Sequence, residues 1–152
     1  MRCVIFDLDG TLADTSGDLI DAANACFAAM GHGPQLAHGA DMETAFGGGR
    51  AMLRLGLERV GADWSEDDVM AWYPRLLDAY RDGIDTHTTL YPGAMDAVET
   101  LRGQGVAVGI CTNKPEALAR LLLERLGVID AFGALVGADT LPVRKPDPAP
   151  LW

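Results

Sequence analysis

An apolar run, Val4-Ile5-Phe6, breaks off at Asp7-Leu8-Asp9-Gly10-Thr11, and this junction limits the fold more than any other stretch of the chain. Two architectures accommodate it. Asp-Gly between apolar residues is a strong signal for a β-hairpin, and Asp is a common turn residue. Alternatively, the run is a buried strand of an open α/β sheet, and its carboxyl end carries two carboxylates where such sheets bind ligands. In that case one aspartate suits a nucleophile and its neighbour a proton carrier.

The periodicity of the remaining chain separates the two. Leu19, Ala22, Ala23, Cys26, Phe27 and Met30 recur at helical spacing and stop at Gly31, a C-terminal cap signal. After Gly47-Gly48-Gly49, the apolar positions Met52, Leu53, Leu57 and Val60 predict a second helix ending at Gly61. Ser65 with Asp68 reads as a capping box opening a third, with Val69, Trp72, Tyr73, Leu76, Leu77 and Tyr80 on its apolar face. Pro74 falls inside that helix and predicts a kink. From Leu90 onward the pattern alternates: a helix from Pro92 to about Arg102, an apolar run from Val106 to Cys111, a helix opened by Pro115 and closed by Gly127, and another run at Leu135-Val136-Gly137. Such alternation implies a parallel sheet. The expected organisation is a Rossmann-like α/β core from residues 1–13 and 88–152, with an all-helical insertion over residues 14–87.

Composition sets the partners. The chain has 152 residues, 49% hydrophobic, enough for one ordinary domain or a small core with an inserted module. Its 22 acidic against 12 basic residues give a formal charge of −10, which disfavours nucleic acid and anionic membrane surfaces. A phosphate-bearing ligand would need positive charge supplied locally, and the only lysines are Lys114 and Lys145. Cys3, Cys26 and Cys111 are too scattered for a disulfide framework and read as buried free thiols in a reducing cytoplasm. The apolar run before Asp7 is too short for a signal peptide, and no segment has bilayer-spanning length. The expected location is the cytoplasm.

Two further loops carry chemistry. Cys111-Thr112-Asn113-Lys114-Pro115 joins a strand to a helix, which puts Thr112 beside a helix N-terminus, a natural anion site. The plainer alternative is an N-cap before a helix-opening proline. Lys145 stands in a Pro-flanked extended segment, Arg144-Lys145-Pro146-Asp147-Pro148, and is otherwise a solvated lysine. Adjacent parallel strands would bring Asp-x-Asp, Thr-Asn and Lys-Pro together at their carboxyl ends.

Phe6-Asp7-Leu8-Asp9-Gly10-Thr11-Leu12, Thr112-Asn113 and Lys145-Pro146 resemble, in order and spacing, the first three motifs of the haloacid dehalogenase superfamily. The helical insertion, with Gly47-Gly48-Gly49-Arg50 in particular, looks most like its phosphoglycolate phosphatase branch. The resemblance implies a Mg²⁺-dependent phosphomonoester hydrolase. Asp7 would attack phosphorus and form an aspartyl phosphate, and Asp9 would protonate the leaving alkoxide and then activate water. Thr112, Asn113 and Lys145 would hold the phosphoryl group, and Asp7 with Asp9 would ligate Mg²⁺. Segment 14–87 would be a cap, with Arg50 reaching the carboxylate of a small metabolite such as 2-phosphoglycolate; an ordinary exposed helix arginine is the alternative.

Members of this family carry a fourth, acidic motif after the lysine, and this sequence reaches Trp152 without one. The resemblance therefore implies an incomplete core with weak metal binding and poor turnover. A sugar phosphomutase uses the same two aspartates, although Thr11 is more typical of phosphatases. A carbon-halogen hydrolase would lack Asp9, and a Schiff-base phosphonate hydrolase needs a cap lysine that is absent. A non-catalytic fragment self-associating through an exposed sheet edge is the alternative from a different class. His32, His38 and His87 show no ligand spacing and are expected at surface or hinge positions. Asp14 reads as a helix-start or hinge residue, and Trp72, Tyr73 and Tyr80 as cap core.

Overall fold

In the computed structural model, residues 2–61 and 63–151 are described. Along the chain run β1 (Cys3–Phe6), β2 (Ala13–Asp14), α1 (Ser16–Ala29), α2 (Met42–Phe46), α3 (Gly49–Val60), α4 (Glu66–Asp82), β3 (Thr89–Leu90), α5 (Ala94–Gly103), β4 (Ala107–Cys111), α6 (Glu116–Arg125) and β5 (Ala134–Val136), with two short 3₁₀ turns at Ile129–Ala131 and Ala149–Leu151. They fall into two compact units: Met1–Asp14 with Thr89–Trp152, and Thr15–Thr88.

The first unit is an α/β layer. Its three-stranded sheet has the order β1-β4-β5, all parallel, with Phe6 opposite Ile110 and Cys111 opposite Val136. The hairpin alternative at Asp9-Gly10 therefore loses to the parallel strand. β4 is central and is buried at Val108, Gly109, Ile110 and Cys111, as a strand covered on both faces must be. β1 lies at the edge of this sheet and alternates exposed and half-buried residues, leaving Ile5 and Cys3 exposed. Cys3 thus departs from the expected buried thiol, whereas Cys26 and Cys111 are buried. A separate antiparallel ribbon pairs β2 with β3, Asp14 standing opposite Thr89. Asp14 is thus a strand residue; the first helix starts at Ser16.

The second unit is all helical. α1 packs on α2, α3 and α4, and α4 also packs on α3. Leu19, Ile20, Ala23, Phe27, Met52, Leu53, Leu57, Val69, Leu76 and Tyr80 form its core. Each large apolar side chain buried here contributes about 1.5–3 kcal/mol of transfer free energy. Gly56 is the contact point of α1 and α3: a Cβ there would stand 1.9 Å from Cζ of the fully buried Phe27 ring. The Ser65/Asp68 capping box is formed. α4 remains one helix through Pro74, its register held by Val69, Leu76 and Tyr80 on the buried face. Trp72 and Tyr73 are only half-buried, beneath the guanidinium groups of Arg75 (4.7 Å) and Arg50 (4.5 Å). The five-residue α2 has too few residues for a periodic signal and was invisible in the pattern. No helix among the described residues is long and apolar enough to cross a membrane.

Candidate functional site

The first unit assembles the site from three loops. β1 ends at Phe6, and the chain turns through Leu8, whose carbonyl accepts the N–H groups of Thr11, Leu12 and Ala13. Gly10 takes φ +77° and donates to the Ala13 carbonyl, closing a tight loop that carries Asp7 and Asp9. The parallel register brings the exits of β4 and β5 to the same sheet end, so Asp7, Thr112 and Gly137 leave neighbouring strands together.

Both lysines meet these aspartates. Lys145 Nζ stands 3.2 Å from Asp7 Oδ1, an oxygen that also accepts the Leu8 N–H at 2.8 Å. Lys114 Nζ stands 3.0 Å from Asp9 Oδ1, with the lysine side chain 4% and the aspartate side chain 14% exposed. Asp7 keeps 48% of its side chain exposed, so the outer carboxylate is open to an incoming group while the inner one is enclosed.

The Thr112 loop is held by its own hydrogen bonds. The buried Thr112 donates its backbone N–H to the Val136 carbonyl (2.9 Å), and its Oγ1 accepts the Lys114 N–H at 3.1 Å. Asn113 Nδ2 donates to the Lys145 carbonyl (3.0 Å), tying the Thr112 loop to the lysine loop. Ala138 donates to the Lys114 carbonyl and Glu116 donates to Asp139 Oδ1, both at 2.9 Å. Thr140 Oγ1 accepts the Gly137 N–H and donates to Glu116 Oε2. Gly137 is sterically required, because a Cβ on it would lie 2.5 Å from Glu116 N.

The structure thus brings together Asp7, Asp9, Thr112, Asn113 and Lys145, and adds Lys114, which sequence reasoning did not place in the site. The signal was present: Lys114 is one of two lysines in an acidic chain and lies two residues after Thr112. A chemical inventory of the site is two carboxylates, two ammonium groups and a hydroxyl, which suits an anionic, oxygen-rich ligand. Donors at Asp7 and Asp9 are hard oxygens, a set that fits Mg²⁺ completed by water and ligand oxygens better than a soft metal.

In the second unit, Arg50 sits in the first turn of α3 over the Tyr73 ring, and its Nε is buried with no hydrogen-bond partner among the described residues. Gly49 beside it gives close approach to α4, since a Cβ there would lie 2.9 Å from Tyr73 Cε1. His38 and His87, which show no ligand spacing along the chain, converge in space on Asp21. Asp18, Asp21 and His87 are the group of three metal-capable side chains found among the described residues.

Comparison with known proteins gives a consistent result. The model of one family, haloacid dehalogenase-like hydrolases, matches residues 1–151. A phosphoglycolate phosphatase of Rhodospirillum rubrum is 41% identical over 159 residues, covering 99% of this chain and 64% of that protein. One from Cereibacter sphaeroides is 38% identical over 155 residues, covering 99% of this chain and 69% of its own length. The chain therefore spans about two thirds of the length of these relatives. A crystal structure described as a predicted phosphoglycolate phosphatase from Haemophilus somnus superimposes with a TM-score of 0.80 at 24% identity, over 99% of this chain and 68% of that one, a likeness of fold.

Proposed function

Because this chain belongs to the haloacid dehalogenase-like hydrolase family, we propose that it hydrolyses a small phosphomonoester through an aspartyl phosphate on Asp7. The observation that carries the reading is the pairing of each aspartate with its own lysine, Asp7 with Lys145 and Asp9 with Lys114, on loops at one sheet end.

The family resemblance suggests a role for each residue, and the geometry supports it. Asp7, the more exposed carboxylate, is the nucleophile. Lys145 at 3.2 Å offsets its charge, so that an anionic phosphoryl group can approach it. Asp9, two residues on and nearly enclosed, passes a proton to the leaving alkoxide and later takes one from the hydrolytic water. Lys114 fixes the orientation of the Asp9 carboxylate. The Thr112 hydroxyl, its lone pair already engaged by the Lys114 N–H, is left to donate to a phosphoryl oxygen. Asn113 holds the Lys145 loop against the Thr112 loop. Asp7 and the main-chain carbonyl of Asp9 would hold Mg²⁺. When bound, it supplies neutralisation of charge on the phosphoryl oxygens.

The names of the relatives support 2-phosphoglycolate as substrate. The helical unit 15–88 would act as the cap, and Arg50, with its buried Nε, would recognise the carboxylate of that substrate. The formal charge of −10 supports a protein that binds neither nucleic acid nor an anionic membrane surface, and its three free cysteines support a cytoplasmic location.

The test is Mg²⁺-dependent phosphate release from 2-phosphoglycolate and from an aryl phosphate, together with intact-mass detection of a phosphoryl group on the protein. Release should vanish in Asp7→Asn, and Asp9→Asn should accumulate the phosphoryl adduct from the aryl phosphate, whose leaving group departs without a proton. Arg50→Ala should raise KM for 2-phosphoglycolate and leave the aryl phosphate unchanged. Phosphate release persisting in Asp7→Asn would refute the mechanism.

A further inference from the structure

Helix α4 does not confine its apolar residues to the side it buries. Val69, Leu76 and Tyr80 are buried in the helical unit, and Tyr73 and Leu77 are half-buried at the margin of that face. Beyond the margin the apolar character continues onto the outer shoulder. Met70 keeps 55% of its surface exposed, the highest value for a large hydrophobic side chain among the described residues, and Pro74 is exposed as well. Asp67, Met70, Pro74, Leu77 and Arg81 follow one another at intervals of three, four, three and four residues, the spacing that keeps side chains on one stripe of a helix. The stripe is therefore apolar in its middle, acidic at one end and basic at the other. Its basic end contacts Asp78 at 3.0 Å in a pair more than half exposed, a contact that is cheap to exchange.

We propose that this stripe docks a second copy of the chain, the two α4 helices crossing antiparallel about a two-fold axis at Pro74. Self-complementarity is the first argument. In a two-fold contact each residue meets the one lying equally far on the other side of the axis. Asp67 lies seven residues before Pro74 and Arg81 seven after it, so each Asp67 faces the Arg81 of the other copy. Met70, four residues before, and Leu77, three after, interleave between them. A parallel pairing would set Asp67 on Asp67 and Arg81 on Arg81, so charge selects the direction. Composition is the second argument: Met, Tyr and Arg are enriched at interfaces and Lys is depleted, and this side of α4 carries Met70, Tyr73 and Arg81 in a helix without lysine. Local neutrality is the third. A formal charge of −10 opposes self-association, but on the outer face of α4 Asp67 and Asp78 are cancelled by Arg75 and Arg81. Size sets the strength. A 17-residue helix offers a strip about 25 Å long and about 10 Å wide, well short of the roughly 800 Å² per partner of a standard interface, so the dimer is weak.

The experiment is sedimentation equilibrium of the full chain at physiological salt, from low-micromolar to near-millimolar concentration. The average mass should rise from 16.1 kDa toward twice that value, with one dissociation constant in the hundred-micromolar range. Met70→Glu should weaken association at least tenfold, because it sets an unpaired carboxylate against Leu77. Asp67→Arg and Arg81→Asp should each weaken it several-fold by opposing like charges. The charge-swapped double variant should regain the original constant, a recovery that damage to the fold would not give. All these positions are exposed, so the variants should fold, and circular dichroism verifies this. In a Cys3→Ser background, Pro74→Cys should yield a disulfide-linked dimer under mild oxidation, because the axis sets the two sulfurs against each other. Gln104→Cys, exposed at the end of α5, should not. A chain that stays monomeric across this range would overturn the proposal. So would a dimer untouched by Met70→Glu, or one that cross-links through Cys3 on the exposed edge strand β1 while Pro74→Cys does not.

Discussion

Replacing Gly137 by alanine tests how the site loops are held. A Cβ there would lie 2.5 Å from Glu116 N, 2.6 Å from Glu116 Cα and 2.8 Å from the Lys114 oxygen, where real Cβ atoms keep at least 3.0 Å. The obstacle is backbone, so no side-chain rotation relieves it. The β5 exit or the Lys114–Glu116 turn must retreat by roughly half an ångström or more, against hydrogen bonds from Ala138 to Lys114, Glu116 to Asp139 and Gly137 to Thr140. Overpacking of this kind costs about 1–3 kcal/mol, and weakening one of these bonds adds about 1 kcal/mol. Reduced freedom of the unfolded chain returns up to about 1 kcal/mol. The expected net loss is about 2 kcal/mol, a Tm decrease of about 4–8 °C for a chain of this size. Gly133→Ala is the control, since its nearest neighbour would be the Val108 oxygen at an ordinary 3.8 Å. Urea unfolding gives the energies, and hydrogen exchange at Glu116 and Ala138 locates the effect. Equal urea midpoints for Gly137→Ala and Gly133→Ala would refute the steric argument.

Gly56→Ala should destabilise the helical unit by about 2 kcal/mol despite the better helix propensity of alanine, and Phe27→Leu should relieve most of that penalty in a double-mutant cycle. Lys114→Met breaks the enclosed pair with Asp9 and should cost about 3 kcal/mol in urea unfolding, with Asp9→Asn/Lys114→Met costing less than the two single changes together. Hydrogen bonds from Arg59, then from the Ala37 N–H, hold the Asp41 carboxyl at about 2, below its ordinary 3.8. A lowered folded-state value means the stabilisation is complete above the unfolded pKa and disappears as pH falls through the folded one. Unfolding midpoints should therefore drop between about pH 4 and pH 2, and Arg59→Leu should flatten that slope.

The sheet was legible because strands and helices alternate after Leu90 and because β4 is apolar on both faces. The Ser65 capping box and the Gly61 stop were legible because each is a local device with a fixed residue pattern. Asp7 and Lys145 could be brought together on paper only through the rule that parallel strands share a carboxyl end, and they stand 3.2 Å apart. Lys114 escaped because its residue type fits a solvated loop equally well, and only the fold shows it enclosed against Asp9. His38 and His87 escaped for a related reason: 49 positions separate them, and it is α1 that supplies the carboxylate between them. Helix α4 ran through Pro74 because packing of its buried face outweighed one missing donor.

The pairing of Asp14 with Thr89 has a topological consequence. The chain leaves the α/β unit at one of these residues and re-enters it at the other, and they are register partners in an antiparallel ribbon. Seen from that unit, segment 15–88 occupies the place of a hairpin turn. A two-residue connection would close the same ribbon, and a helical module of any size with adjoining ends could replace the present one without disturbing a single parallel strand. Within the segment, Asp18 supplies the matching condition by binding the backbone of His87 and Thr88, which brings its own two ends together. Host and insert are each self-closed at the junction, an arrangement in which lineages can exchange one part while inheriting the other intact.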